Sequence, residues 1–202
     1  QLYHELRRML TMARGNLSAS FQTVLTGDVS QIAKVEATEE YLDFLNKEIS
    51  KQISSFIGLE TNERSSAVIS SCFTISGNIE RIGDHAMNVC GYARRLAEKK
   101  ASFSAQAQEE IRQMQDVCQG TMDALLAENG GDLDWFAKIS AMEQRIDDLT
   151  VQFRRHQIQR MRDGVCSEEA CVLYSELLTD FERIGDHALN IGQEMAAMHA
   201  AE

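Results

Sequence analysis

The nine residues Glu80-Arg81-Ile82-Gly83-Asp84-His85-Ala86-Met87-Asn88 return as Glu182-Arg183-Ile184-Gly185-Asp186-His187-Ala188-Leu189-Asn190, with eight of nine identical and 102 positions between them. In a chain of 202 residues this means two copies of one structural unit, so that any chemistry of the motif is present twice. The expected units are residues 1–102 and 103–202. The chain has no proline. Long helices joined by short glycine-bearing loops are the expected consequence, because proline is what usually interrupts helices and stiffens loops.

Breaks are expected at Thr26-Gly27-Asp28, from Gly58 through Asn62, near Ala101 to Ser104, at Asn129-Gly130-Gly131 and at Asp163-Gly164. Six segments with helical periodicity lie between them: Leu2 to Leu25, Val29 to Ile57, Glu63 to Lys100, Ser104 to Ala127, Asp132 to Arg162, and Ser167 to the end. The predicted fold class is all-α, with two tandem three-helix bundles.

On a helix, Glu80, Asp84 and Asn88 fall at about 0°, 40° and 80°, while Ile79, Ile82, Ala86, Val89 and Cys90 gather on the opposite side. One face packs and the other presents oxygen atoms. Glu182, Asp186 and Asn190 repeat the row, and Glu194 extends it by a turn. The preceding helix of each unit carries a second acidic pair, Glu39/Asp43 and Glu143/Asp147, offset by 104. Acidic pairs one turn apart are weak signals singly, since most belong to solvated faces. Their recurrence at matching places on two neighbouring helices points to oxygen ligation of a hard cation, or to carboxyls with raised pKa. Magnesium, calcium, manganese and iron fit such ligands, and zinc can be held by carboxylates. A ferritin-like di-iron site would need Glu-x-x-His, which no histidine here provides. His85 and His187 flank the row and are expected to hydrogen-bond a neighbouring carboxylate or backbone group rather than ligate. Arg81 and Arg183 read as counter-charges to the acidic row or as contacts for an anion such as phosphate.

Other classes are disfavoured. Twenty Lys and Arg against 31 Asp and Glu give a net charge of −11, a poor match to nucleic acid. No nucleophile–base arrangement, phosphate loop or dinucleotide fingerprint is visible, so an enzyme is not expected. Five cysteines with no Cys-x-x-Cys suggest a reducing compartment, no disulfide framework and mostly buried apolar roles. No run of 18 apolar residues occurs.

The doubled Glu-Arg-Ile-Gly-Asp-His-Ala-x-Asn, each copy preceded by a helix with Glu-x-x-x-Asp, resembles the PhoU family over essentially the whole chain. The resemblance implies a non-enzymatic regulator of phosphate uptake made of two three-helix bundles, each with a metal centre. It assigns Glu39, Asp43, Glu80, Asp84 and Asn88 to one centre, and Glu143, Asp147, Glu182, Asp186 and Asn190 to the other. It leaves the metal open among iron, zinc, manganese, magnesium and calcium. Many relatives have an acidic residue three positions after the motif Asn, where this chain has Gly91 and Gln193. The ligand set is therefore expected to be smaller, with Glu194 compensating in the second unit only.

The family has two versions, and Tyr41 through Ile49 is similar to the one fused to bacterial Na⁺/phosphate cotransporters. With the non-Met start, this makes the leading expectation a cytoplasmic domain tethered to the inner membrane through a transporter portion of the same chain. The alternative is a stand-alone adaptor that joins a phosphate ABC transporter to its sensor kinase. Homodimerisation is a further expected assembly.

Overall fold

The computed structural model describes residues 1–59, 62–128 and 132–200. Its helices are α1 (Leu2–Thr26), α2 (Ile32–Ile57), α3 (Glu63–Lys99), α4 (Ala105–Leu126), α5 (Leu133–Arg162) and α6 (Glu168–Ala200), with no strand among the described residues. The breaks expected at Gly58 through Asn62 and at Asn129-Gly130-Gly131 include residues 60–61 and 129–131, which lie outside the described residues.

Helix ends follow local chemistry. Gly27 closes α1 at φ 73°, a left-handed conformation that costs glycine little. The second segment does not enter its helix directly at Val29. Asp28 accepts a hydrogen bond from the Ser30 amide and holds a 3₁₀ turn over Val29–Gln31, and α2 starts only at Ile32. Asn62, Ser104 and Asp132 cap α3, α4 and α5 through side-chain oxygens. Ser167 does the same for α6 by accepting from the Ala170 amide.

α1, α2 and α3 pack on one another, as do α4, α5 and α6, and the two bundles join along α3–α6 and α1–α4. One continuous apolar core runs through both, from Leu6 and Leu10 of α1 to Ile191 and Met195 of α6. The helical-wheel assignment of the motif holds, with Ile79, Ile82, Ala86, Val89 and Cys90 fully buried. No described helix is long and apolar enough to cross a membrane.

Two features depart from expectation. Cys166 and Cys171 form a disulfide, with Cα atoms 6.0 Å apart, so the chain is not without disulfides. The α5–α6 turn brings together two residues that no Cys-x-x-Cys spacing would have flagged. Cys72, Cys90 and Cys118 are free and buried, as expected of small apolar residues. The second feature is a buried polar network in the second bundle. Glu110 of α4 pairs with Arg160 Nη2 at 2.8 Å and His156 Nδ1 at 2.5 Å, and accepts from the Tyr174 hydroxyl. The Arg160 guanidinium lies 4.8 Å from the Tyr174 ring centroid.

Candidate metal centres

In each bundle the motif helix packs closely on the helix before it, and the glycine of the motif permits this. A Cβ at Gly185 would stand 3.0 Å from Ile146 Cγ2 and 3.1 Å from its Cδ1. At Gly83 it would stand 3.3 Å from Leu42 Cδ1 alone. Leu42 and Ile146 are equivalent residues of the two copies, lying next to Asp43 and Asp147. In the second bundle the contact that needs glycine therefore lies next to the acidic pair, whereas in the first the flexible Leu42 tip leaves more room. Ala is worth about 1 kcal/mol over Gly in a helix, and overpacking costs about 1–3 kcal/mol. Gly83→Ala should be near neutral because the Leu42 tip can swing aside. Gly185→Ala should lose up to about 2 kcal/mol, because Ile146 is branched at the clash. Urea denaturation of the two variants checks this, and equal effects would contradict it.

The carboxylates converge as two triads. Glu39, Glu80 and Asp84 offer oxygens within 4.8 Å of one another, and so do Glu143, Asp147 and Asp186. An ion at 2.0–2.5 Å from each oxygen fits such a spread. The two triads are not strict copies, since Asp84 and not Asp43 joins the two glutamates of the first. Asp43 Oδ2 instead pairs with Lys47 Nζ at 2.8 Å, although its charge still acts on Glu39 and Glu80. Glu182 stands outside the second triad but raises the pKa of Glu143. Glu194 is half-buried and enters neither triad.

Asn88 and Asn190 are turned toward the junction of the bundles. Asn88 Nδ2 donates to Asp180 Oδ1 at 3.0 Å, and Asn190 Nδ2 to Asn78 Oδ1 at 3.3 Å. The histidines go with them: His85 Nδ1 lies 2.6 Å from Asp180 Oδ1 and His187 Nδ1 lies 3.0 Å from Asn78 Oδ1. Their rings stack with centroids 5.4 Å apart. The Tyr92 hydroxyl also donates to Asp180. For His85, then, the expected bond to a carboxylate is present, with a partner from the other repeat. Asp180 and Asn78 are equivalent positions that motif and spacing arguments miss. A signal does exist: both lie two residues before the motif, and they differ in charge.

Burial, then the charge of Asp84 and a hydrogen bond to it, raise Glu80 to about 7. Burial, the hydrogen bond to Asp147 and the charges of Asp147, Asp186 and Glu182 raise Glu143 to about 7. Glu39 and Asp186 are also raised, burial first. His187 is lowered to about 4 by burial, His85, Arg81 and Arg183. An acid whose folded pKa exceeds its unfolded value of 4.5 keeps its proton in the folded state after the unfolded chain has lost it. Stability of the metal-free chain should therefore fall as pH rises through 4.5 to about 7. His187 acts in the opposite sense, but only up to its ordinary value of 6.5. The net fall should be steepest from about pH 5.5 to 7, and a melting temperature that is flat or rising there would contradict it.

A sequence profile described as "PhoU domain" matches residues 6–93 and 111–195, one match in each bundle. The chain is 26% identical over 199 residues to the phosphate-specific transport system accessory protein PhoU homolog 1 of Thermotoga maritima, covering 96% of this chain and 84% of that protein. It is 24% identical to the corresponding PhoU homolog of Xylella fastidiosa, covering 96% of this chain and 82% of the relative. PhoU from Pseudomonas aeruginosa superposes with a TM-score of 0.90 at 18% identity, covering 100% of this chain and 96% of that one. The phosphate transport system regulatory protein PhoU from Streptococcus pneumoniae gives 0.84 at 17%, covering 100% and 94%. At these identities the two structures establish the fold.

Proposed function

This chain belongs to the PhoU domain family, and on that premise we propose that it is an accessory protein of a phosphate transport system and holds a metal ion in each of its two bundles. The relatives in Thermotoga maritima and Xylella fastidiosa are named as accessory proteins of a phosphate-specific transport system, and each is matched over more than four-fifths of its own length. Their names favour the stand-alone adaptor over the cotransporter domain that the segment from Tyr41 to Ile49 suggested. The partner in this reading is a membrane phosphate transport complex, on which the chain acts as a regulator and not as an enzyme.

The observation that carries the metal reading is the convergence of three carboxylates in each repeat. Hard cations take such oxygen sets, and carboxyls pushed up to about 7 release protons when a cation arrives. Glu39, Glu80 and Asp84 hold the first ion, and Glu143, Asp147 and Asp186 hold the second. Asp43 and Glu182 add charge from the next position out. Asn88 and Asn190 complete a ligand set only if they leave their partners at the junction, so we assign them to the junction.

Removal of the gene should change inorganic-phosphate uptake in the cell that carries it. Wild type should restore normal uptake, and the chain with Asp84→Asn and Asp186→Asn should not. Unchanged uptake without the gene would overturn the transport reading. Full restoration by the substituted chain would overturn the role of the metal while leaving the transport reading intact.

A further inference from the structure

Both bundles expose apolar residues, the first at Tyr41, Phe44, Phe56, Ile57, Leu59 and Phe73, and the second in a stripe without an aromatic and ringed by arginines. Val151, Ile158 and Met161 of α5 are 53%, 49% and 55% exposed, Val165 of the α5–α6 turn is 60% exposed and Val172 of α6 is 46% exposed. On α5, Val151, Ile158 and Met161 share a sector about 120° wide with Arg154, Arg155 and Arg162. Two contacts bring α6 alongside: Gln157 Nε2 donates to the Cys171 carbonyl at 3.1 Å and Arg154 Nη2 to Thr179 Oγ1 at 3.3 Å. Val172 and Thr179 are seven residues apart and so share a face of α6, which places Val172 beside the α5 stripe.

The duplication provides an internal control. With offsets of 104 on the first helix of each pair and 102 on the second, Val151, Ile158, Met161 and Val172 correspond to Lys47, Ser54, Ile57 and Ser70. The fold itself is content with polar residues at three of these four places. Charge differs in the same region. Residues 151–165 hold four arginines and one acid, Asp163, whereas residues 47–61 hold two lysines and two glutamates. Arg160 turns inward to Glu110, which leaves Arg154, Arg155 and Arg162 around the apolar stripe of a chain whose net charge is −11. Asp163 and Glu168 sit at the turn end of the face.

The residue types say what kind of partner fits. The apolar residues are Val, Ile and Met with no aromatic among them, and every cation is Arg. Membrane-surface helices favour Trp, Phe and Leu with lysines as well as arginines. Protein interfaces instead enrich Arg and Met and deplete Lys. Two antiparallel helices side by side also offer the groove into which a third helix packs. The stripe from Val151 to Met161 is about 15 Å long, three turns of a partner helix.

We propose that this α5–α6 face is the docking surface for an acidic amphipathic helix of a partner protein. The apolar side of that helix lies between Ile158 and Val172, and its carboxylates meet Arg154, Arg155 and Arg162 in charge-assisted pairs. The surface does not depend on the metal reading, and it adds to the accessory role a place at which a partner is held.

The test uses the full chain and a designed 18-residue helical peptide with leucines along one face and glutamates beside them, followed by fluorescence anisotropy. Binding in the micromolar range of about 1–100 μM is expected, at least tenfold tighter than for the same peptide with lysines in place of glutamates. Ile158→Ser with Val172→Ser installs the first bundle's own residues, so the fold should be kept, as circular dichroism checks, while affinity drops at least tenfold. Arg155→Gln with Arg162→Gln should weaken binding several-fold and flatten its salt dependence. Phe73→Ser on the first bundle should leave affinity unchanged. No binding of the acidic peptide up to about 1 mM overturns the proposal, as does equal loss in the Phe73 variant. Sedimentation with anionic phospholipid vesicles in the absence of peptide binding would assign the face to lipid. Self-association abolished by the serine pair, again without peptide binding, would assign it to a second copy. Either outcome overturns the helix.

Discussion

The chain with Asp84→Asn and Asp186→Asn is expected to fold like wild type and to hold no metal. Each substitution removes an oxygen charge from a three-carboxylate set, and the affinity at each centre should fall by at least about 100-fold, the loss expected when a ligand charge disappears from a small oxygen site. Elemental analysis of protein purified after metal supply reads this directly. A second readout separates ligation from mere packing. Asp84 helps hold Glu39 and Glu80 above their ordinary values, so the metal-free variant should be more stable than metal-free wild type near pH 7.5. Added metal should stabilise wild type by about 2.7 kcal/mol at 100 times its dissociation constant and leave the variant unmoved. A variant that loses stability in the metal-free state, or keeps its metal, would overturn the assignment.

Glu110→Ala should destabilise the protein more than alanine at either motif glycine. The Glu110 side chain is 4% exposed, and its removal leaves the Arg160 guanidinium, 5% exposed, with the neutral partners Gln157 Oε1 and the Tyr174 hydroxyl. Breaking a buried pair from one side costs about 3–5 kcal/mol, because an uncompensated charge is left inside. For a chain of this length the melting temperature should drop by on the order of 10 °C. The double variant Glu110→Ala with Arg160→Met should recover most of the loss, since no charge then remains to be stranded. Failure of the double variant to recover would show that shape, and not charge, governs this part of the core.

How far the sequence reveals the molecule depends on whether one helix or two helices decide a feature. The six helices are legible because apolar spacing along one segment is enough, and Ile79, Ile82, Ala86 and Val89 are buried as their spacing requires. The acidic convergence is legible because the 102- and 104-residue offsets place Glu39 opposite the first motif and Glu143 opposite the second. Asn88 is different. About 80° from Glu80, it stands at the border between the face that meets α2 and the face that meets α6, and only the α3–α6 crossing decides in favour of Asp180. Gly83 and Gly185 could be seen in sequence as motif residues, but that Gly185 is needed for the close approach and Gly83 much less so depends on Ile146 and Leu42 of another helix. The Cys166–Cys171 bridge likewise depends on a turn, which no helical periodicity describes.

The α3–α6 contact has a meaning for ancestry. His85 meets Asp180 while His187 meets Asn78, so numbering rises along one helix as it falls along the other, and each motif presents the same surface to its twin. That is the geometry of an isologous dimer: a single unit could have paired with its own copy about a two-fold axis before the two were joined in one chain. In such a homodimer both positions must be Asn or both must be Asp. Having Asn78 on one side and Asp180 on the other is open only to a fused molecule, in which one half can change without its mirror image changing too. The covalent link thus released the two halves from symmetry, and the serine-to-valine and serine-to-isoleucine differences on the outer face of the second half are a use of the same freedom.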